Sequence, residues 1–117
     1  MKLDETLFDI STVNELYDVL EDDISGIYEE FRADVSSMIS KLKEAEEASD
    51  IDVIKSVSHT LKGSSGNIGL RKISEIARNI EENAGKGDIS DLSVLLKDID
   101  ISVQETLAVL IENKLLK

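Results

Sequence analysis

The feature that most limits the fold of this chain is the spacing of its apolar residues. They recur at steps of three and four along five segments, and no proline interrupts any of the 117 residues. This spacing places the apolar side chains of each segment on one face of an α-helix. Aromatic residues make up only 3% of the sequence, and its abundant Leu, Ile, Glu, Lys and Ala favour helices over strands. The sequence therefore predicts an all-α protein.

Residues that cap or break helices divide the chain into five predicted helices. A short helix covers about residues 12–20, and four longer ones cover about 24–48, 50–68, 70–84 and 91–115. The predicted N-caps are Ser11, Asp22 or Asp23, Ser49 or Asp50, and Ser90. Gly69 is expected to end the third helix in a left-handed turn. Core-facing positions of the second helix include Ile27 and Phe31.

Short connections make consecutive long helices antiparallel. We therefore expect an up-down four-helix bundle in which the short first helix acts as a lid. The length suits a single domain with one hydrophobic core.

Composition excludes several kinds of site and partner. The chain has no cysteine and one histidine, which excludes thiolate chemistry and argues against a zinc cluster. Its net charge of -12 disfavours nucleic acid and anionic membranes. There is no signal peptide and no long apolar run, so we expect a soluble cytoplasmic protein. Residues 51–78 nevertheless carry 5 basic and 2 acidic side chains, either as a functional patch or as chance clustering on a solvated face.

His59 is the candidate site residue of the third helix. At about 100° per residue, its side chain points about 140° away from the apolar stripe, towards solvent. Lys62 lies one turn further on, and Gly63 shares the bearing of His59, with Gly66 close by. The two glycines either permit close approach of another molecule or let two helices pack tightly. A His–Lys pair can also be an ordinary piece of surface.

The run from His59 to Gly69, HTLKGSSGNIG, resembles the signature of histidine-containing phosphotransfer (HPt) domains: a histidine, then Leu, Lys and Gly, then a second glycine six residues later. Downstream residues such as Ile80, Glu81 and Gly87 resemble the next helix and turn of the family. The family often has alanine where this chain has Ser58 and Gly66. The resemblance covers most of residues 13–112.

The resemblance implies a carrier with no catalytic centre of its own, in which His59 accepts a phosphoryl group, Lys62 supports it and Gly63 keeps the site open. A response-regulator receiver domain would bring the aspartyl phosphate, Mg²⁺ and a catalytic lysine, while this chain binds no cofactor or metal. A hybrid sensor histidine kinase is the other implied partner. Gly66, Lys55, Arg71 and Lys72 would contribute to docking, and the carrier is expected to be a free-standing monomer. The alternatives are an acidic helical adaptor, a fragment of a histidine kinase and, more remotely, a metal-binding protein.

Overall fold

The computed structural model describes residues 2–117, and this part of the chain forms helices and no strand. The helices are α1 (Ile10–Leu20), α2 (Ile24–Glu47), α3 (Ile51–Asn67), α4 (Arg71–Gly85) and α5 (Leu92–Glu112). A 3-10 turn at Glu21–Asp23 joins the first two. Each long helix contacts two others in the ring order α2, α3, α4, α5, and α3 and α4 share the most extensive contact. The prediction of an all-α four-helix bundle with a short N-terminal helix is confirmed.

One hydrophobic core lies between the four long helices. Its fully buried side chains include Ile24, Leu42, Ile54, Leu61, Ile73, Ile80, Ile99 and Leu110. Tyr28 is also fully buried, and its hydroxyl donates a hydrogen bond to the Ile68 carbonyl at 3.0 Å. Ile27, predicted to face the core, is only half-buried, whereas Phe31 is buried as predicted. No helix within residues 2–117 is both long enough and apolar enough to cross a membrane.

Two of the predicted helix starts are wrong. The N-cap of α1 is Asp9, whose carboxylate accepts from the Thr12 amide at 3.3 Å, so the helix begins before Ser11. Ser90 does not cap α5, because its amide and hydroxyl both donate to the Asp88 carboxylate. For α3 the cap is Asp50, one of the two predicted candidates.

The long helices end in a common turn, in which two amides beyond the helix donate back to its last carbonyls. After α3, the Leu70 amide donates to Ser65 O at 2.9 Å and the Gly69 amide donates to Gly66 O at 3.2 Å. The φ of Gly69 is +77°, which confirms the predicted left-handed turn. Ser49 and Lys114 also have positive φ values, +51° and +62°, in the turns after α2 and α5. Helix α5 therefore ends three residues before its predicted end.

The N-terminal segment (residues 2–9) closes the turn between α3 and α4. Leu7 and Phe8 are buried there. The Asp9 amide donates to Gly69 O at 2.9 Å, and the Lys72 amide donates to Leu7 O at 3.2 Å. A methyl group on Gly69 would lie 2.7 Å from Cγ2 of Val13 in α1. Helix α1 therefore packs directly against the backbone of this turn, where Gly69 has no side chain.

Candidate functional site

His59 projects from the outer face of α3, as its helical bearing predicts. The opposite face of the helix is buried through Ile54, Ser58, Leu61 and Ser65. The two buried serine hydroxyls donate to carbonyls four residues earlier, so neither is left unsatisfied. The His59 side chain remains 67% exposed. The helix therefore presents the imidazole to solvent on a rigid base.

Glu81 of α4 lies against this imidazole and ties it to Lys62. Its carboxylate oxygen Oε2 lies 2.5 Å from Nδ1 of His59, and its other oxygen, Oε1, accepts from Nζ of Lys62 at 2.6 Å. The Glu81 side chain is only 17% exposed. One carboxylate thus bridges two side chains that stand one turn apart on the neighbouring helix.

The bridge keeps Glu81 ionised. The hydrogen bond from Lys62 is the largest cause that lowers the pKa of Glu81 below its ordinary value. Burial of the carboxyl opposes this effect, and the hydrogen bond with His59 lowers the pKa further. The His59 ring therefore faces a carboxylate rather than a neutral acid.

Lys62 is only partly exposed to solvent. Its side chain is 32% exposed and turns towards α4 to meet Glu81. The sequence places Lys62 one turn after His59, and in the structure the Glu81 carboxylate contacts both the Lys62 ammonium and the imidazole.

The two glycines of the motif lie in different surroundings. A methyl group on Gly63 would meet no atom within 4 Å, so packing inside the bundle does not require a glycine there. A methyl group on Gly66 would lie 3.1 Å from Oγ of Ser74 in α4. The helix-packing alternative therefore accounts for Gly66, and close approach of another molecule remains the interpretation of Gly63.

The basic side chains assigned to docking do not form one cluster. Lys55 is exposed one turn before His59, and both line an open depression with Asp52 and Glu81. Arg71 and Lys72 lie at the other end of α4, ten residues before Glu81, or about 15 Å along the helix axis. Arg71 donates to the Glu5 carbonyl at 3.2 Å. The basic side chains of residues 51–78 thus lie in two separate regions of the fold.

Comparisons with known proteins agree with this geometry. The model of the Hpt domain family matches residues 26–112. The chain belongs to the HPt family. The solved structure of histidine-containing phosphotransfer protein B (HptB) from Pseudomonas aeruginosa is similar, with a TM-score of 0.86 and 20% identity over 92% of this chain and 93% of that one. The HPt domain of ArcB from Escherichia coli gives a TM-score of 0.63 and 19% identity over 87% of this chain and 97% of that one. No curated protein sequence matches.

As an HPt domain, the chain has a histidine phosphotransfer role in phosphorelays. Glu81 is part of the sequence resemblance to the family, but its contact with His59 is not apparent from that resemblance. A signal for that role exists in the α3–α4 hairpin, because two antiparallel helices bring residues at similar distances from their turn close together. Gly66 lies against Ser74 near the turn, and His59 lies against Glu81 further from it.

The HPt domain also has an apolar groove between α2 and α3. Ile27, Phe31, Met38 and Ile68 line it, and Ser64 forms the side next to Gly63. Glu30 and Asp34 stand at its rim. The groove gives the surface beside Gly63 an apolar floor with acidic edges.

Proposed function

We propose that His59 accepts a phosphoryl group on Nε2 from a receiver-domain aspartyl phosphate and passes it to the aspartate of another receiver. The observation that carries this proposal is the state of the imidazole. His59 is the only histidine of an HPt chain, its ring is largely exposed, and Glu81 occupies Nδ1. Nε2 has no hydrogen-bond partner among residues 2–117.

The bridge to Glu81 favours attack by Nε2 of the ring. A carboxylate 2.5 Å from Nδ1 favours the tautomer with the proton on that nitrogen. The lone pair of the neutral ring is then on Nε2, where it can form a bond to phosphorus while the bond to the aspartate oxygen breaks. The electron pair of the broken bond leaves with the aspartate, and no proton has to move.

Lys62 balances the charge of the phosphorylated site. The incoming phosphoryl group adds negative charge close to the Glu81 carboxylate. Lys62 already neutralises that carboxylate at 2.6 Å, and its flexible side chain can share its donors with phosphate oxygens.

The receiver supplies the remaining chemistry in this proposal. It brings the phosphorylated aspartate, Mg²⁺ and a catalytic lysine, while this chain contributes the nucleophile and binds no metal. No group of three potential metal-ligating side chains lies together in the described part of the chain. The phosphoryl group originates in a hybrid sensor histidine kinase, and the relay operates in the cytoplasm. We expect a monomeric carrier, because a net charge of -12 opposes self-association.

The receiver docks over Gly63, where the backbone is bare, with the groove between α2 and α3 on one side. Lys55 attracts the acidic pocket of the receiver towards His59. An interface of ordinary size covers about 800 Å² per partner and so extends about 16 Å from its centre. With His59 at the centre, Gly66 is about 10 Å away along α3, inside that radius. Arg71 and Lys72 are about 15 Å from Glu81 along α4, near its edge.

The test mixes the purified chain with each phosphorylated receiver domain of the source organism and follows labelled phosphate. We expect transfer to the wild type and none to His59→Gln. If no receiver labels the wild type, or if His59→Gln is labelled equally well, the carrier proposal fails and the adaptor alternative gains support.

Two further variants test the roles around His59. Lys62→Ala should slow transfer about tenfold, the effect of losing one charge-balancing group, with helical content unchanged. Gly63→Gln should block receiver binding without unfolding the bundle. Gly26→Gln is the matched control, because Gly26 is also a helical glycine with open space around it. Equal receiver affinity for the two glutamine variants would refute the close-approach interpretation.

A further inference from the structure

The bridge through Glu81 has a consequence for the phosphorylated state. We propose that Glu81 is a positioning residue that keeps the proton on Nδ1 of His59 after Nε2 is phosphorylated, and so makes the phosphoryl group short-lived and easily passed on. This inference rests on the proposed function, and it goes further by assigning control of the phosphohistidine lifetime to a residue of α4.

Phosphorylation of Nε2 changes the charge of the imidazole ring. When a neutral imidazole with its proton on Nδ1 forms a bond through Nε2, the ring becomes a cationic imidazolium. It returns to neutrality if Nδ1 loses its proton to water. A carboxylate at 2.5 Å from Nδ1 opposes that loss, since it accepts the hydrogen bond and stabilises the positive ring.

The proton on Nδ1 determines the charge of the ring as a leaving group. During onward transfer the bond between Nε2 and phosphorus breaks, an aspartate oxygen forms the new bond, and the electron pair returns to Nε2. If Nδ1 has kept its proton, the ring leaves as a neutral imidazole. If Nδ1 has lost it, the ring leaves as an imidazolide anion, which is far less stable. Retention of the proton therefore speeds both onward transfer and hydrolysis.

The Glu81 carboxylate is held in a fixed position beside the ring. Lys62 holds the second oxygen of Glu81 at 2.6 Å, and the side chain is 17% exposed, so the first oxygen stays directed at the ring. The other charged groups around the imidazole are Asp52 and Lys55, which line the depression beside it on α3. Neither forms an ion pair with His59 among residues 2–117. Glu81 is thus the one anion in direct contact with Nδ1.

The test uses phosphoramidate, a small phosphoryl donor, to load His59 without a receiver. Hydrolysis of the phosphohistidine is then followed by ³¹P NMR between pH 5 and 9. We expect Glu81→Gln to lengthen the half-life about two- to fivefold at pH 7.5, the effect of losing one partly exposed charge interaction. The pH at which the hydrolysis rate changes should fall by about 0.3 to 0.7 unit. Glu81→Asp, which keeps the charge, should restore part of the wild-type rate.

Glu82→Gln is the matched control, because it removes the same charge from the next, exposed residue of α4. An unchanged half-life and pH profile in Glu81→Gln would overturn the proposal, and so would an equal effect of Glu82→Gln. ¹⁵N NMR of the unphosphorylated wild type gives a second test. A ring protonated mainly on Nε2 would contradict the inference, even if phosphoramidate failed to load the protein. Failure of every receiver to transfer phosphate would instead refute the proposed function and leave these comparisons valid.

Discussion

Gly63 and Gly69 lie six residues apart in one motif, yet they serve two different regions of the α3–α4 hairpin. At the closed end, Gly69 has a φ of +77° and its backbone is covered by Val13. The Gly69 carbonyl accepts a hydrogen bond from the Asp9 amide. At the open middle, Gly63 has ordinary helical geometry and nothing within 4 Å of its missing side chain. The fold requires Gly69, whereas Gly63 weakens the helix it belongs to. The comparison separates a glycine that the fold requires from one that packing inside the bundle does not explain.

The largest effect is expected when the closed end is disturbed. Gly69→Ala combines an unfavourable positive φ with a methyl group 2.7 Å from Val13 Cγ2. We expect the free energy of unfolding to fall by about 2–4 kcal/mol in urea denaturation. Gly87→Ala is the control, because Gly87 has a φ of +71° but no atom within 4 Å, so it should lose only about 1 kcal/mol. Equal losses of stability in the two variants would mean that the Val13 side chain moves away from the added methyl group without a cost in free energy.

Tyr28→Phe tests the hydrogen bond that joins α2 to the same end of α3. Loss of the 3.0 Å bond to the Ile68 carbonyl should lower the free energy of unfolding by about 1 kcal/mol at pH 7. Burial raises the pKa of Tyr28 to about 12. Because that value lies above the ordinary pKa of an unfolded tyrosine, wild-type stability should fall as the pH rises from about 10 to 12.

The Phe variant lacks this alkaline loss, so the two stability curves should converge or cross above pH 10. Tyr17→Phe is the control, since Tyr17 is 40% exposed on α1 and its loss should leave the stability at pH 7 unchanged. A constant difference between wild type and Tyr28→Phe up to pH 12 would contradict the effect of burial.

At the open middle the same type of substitution should have the opposite sign. Gly63→Ala adds a methyl group in open space and should raise the free energy of unfolding by about 0.5–1 kcal/mol. Gly26→Ala should give a similar gain in α2. If Gly63→Ala were destabilising in thermal or urea unfolding, the glycine would have a packing role in the bundle, and the contrast with Gly69 would be wrong.

The smallest effect is expected at the turn after α2, where Ser49 adopts a φ of +51° that suits glycine better. Ser49→Gly should stabilise the domain by roughly 0.5 kcal/mol, the difference between the relief of the positive φ and the greater chain entropy of glycine. The measurement is the urea midpoint. A loss of stability there would indicate that the serine side chain supports the turn.

The sequence predicts what depends on neighbours along the chain, and the structure adds what depends on contacts between distant residues. Helical spacing suffices for the bundle and for the exposure of His59, and the glycine at the end of α3 suffices for the turn at Gly69. The burial of Leu7 and Phe8 could not be read in this way, because two adjacent apolar residues outside a helix show no period. Tyr28 is buried in the core in place of Ile27, because its hydroxyl donates a hydrogen bond to the Ile68 carbonyl at the end of α3.

Glu81 is the clearest case at the site. Its role depends on the pairing of α3 with α4, and a polar residue on an amphipathic helix gives no sign of what it faces. The turn at Gly69 fixes that pairing and so connects the predictable part of the structure with the part that sequence periodicity misses.

The N-terminal segment makes the cooperative folding unit wider than the region that the family model matches. The family match spans residues 26–112, whereas Leu7, Phe8, Val13, Leu115 and Leu116 are buried outside it. Each such side chain contributes about 1.5–3 kcal/mol when it leaves water, and a domain is typically stable by only 5–15 kcal/mol. A fragment cut to the matched residues would lack these buried side chains and should be much less stable than the whole chain. The folding unit therefore extends beyond the family match at both ends.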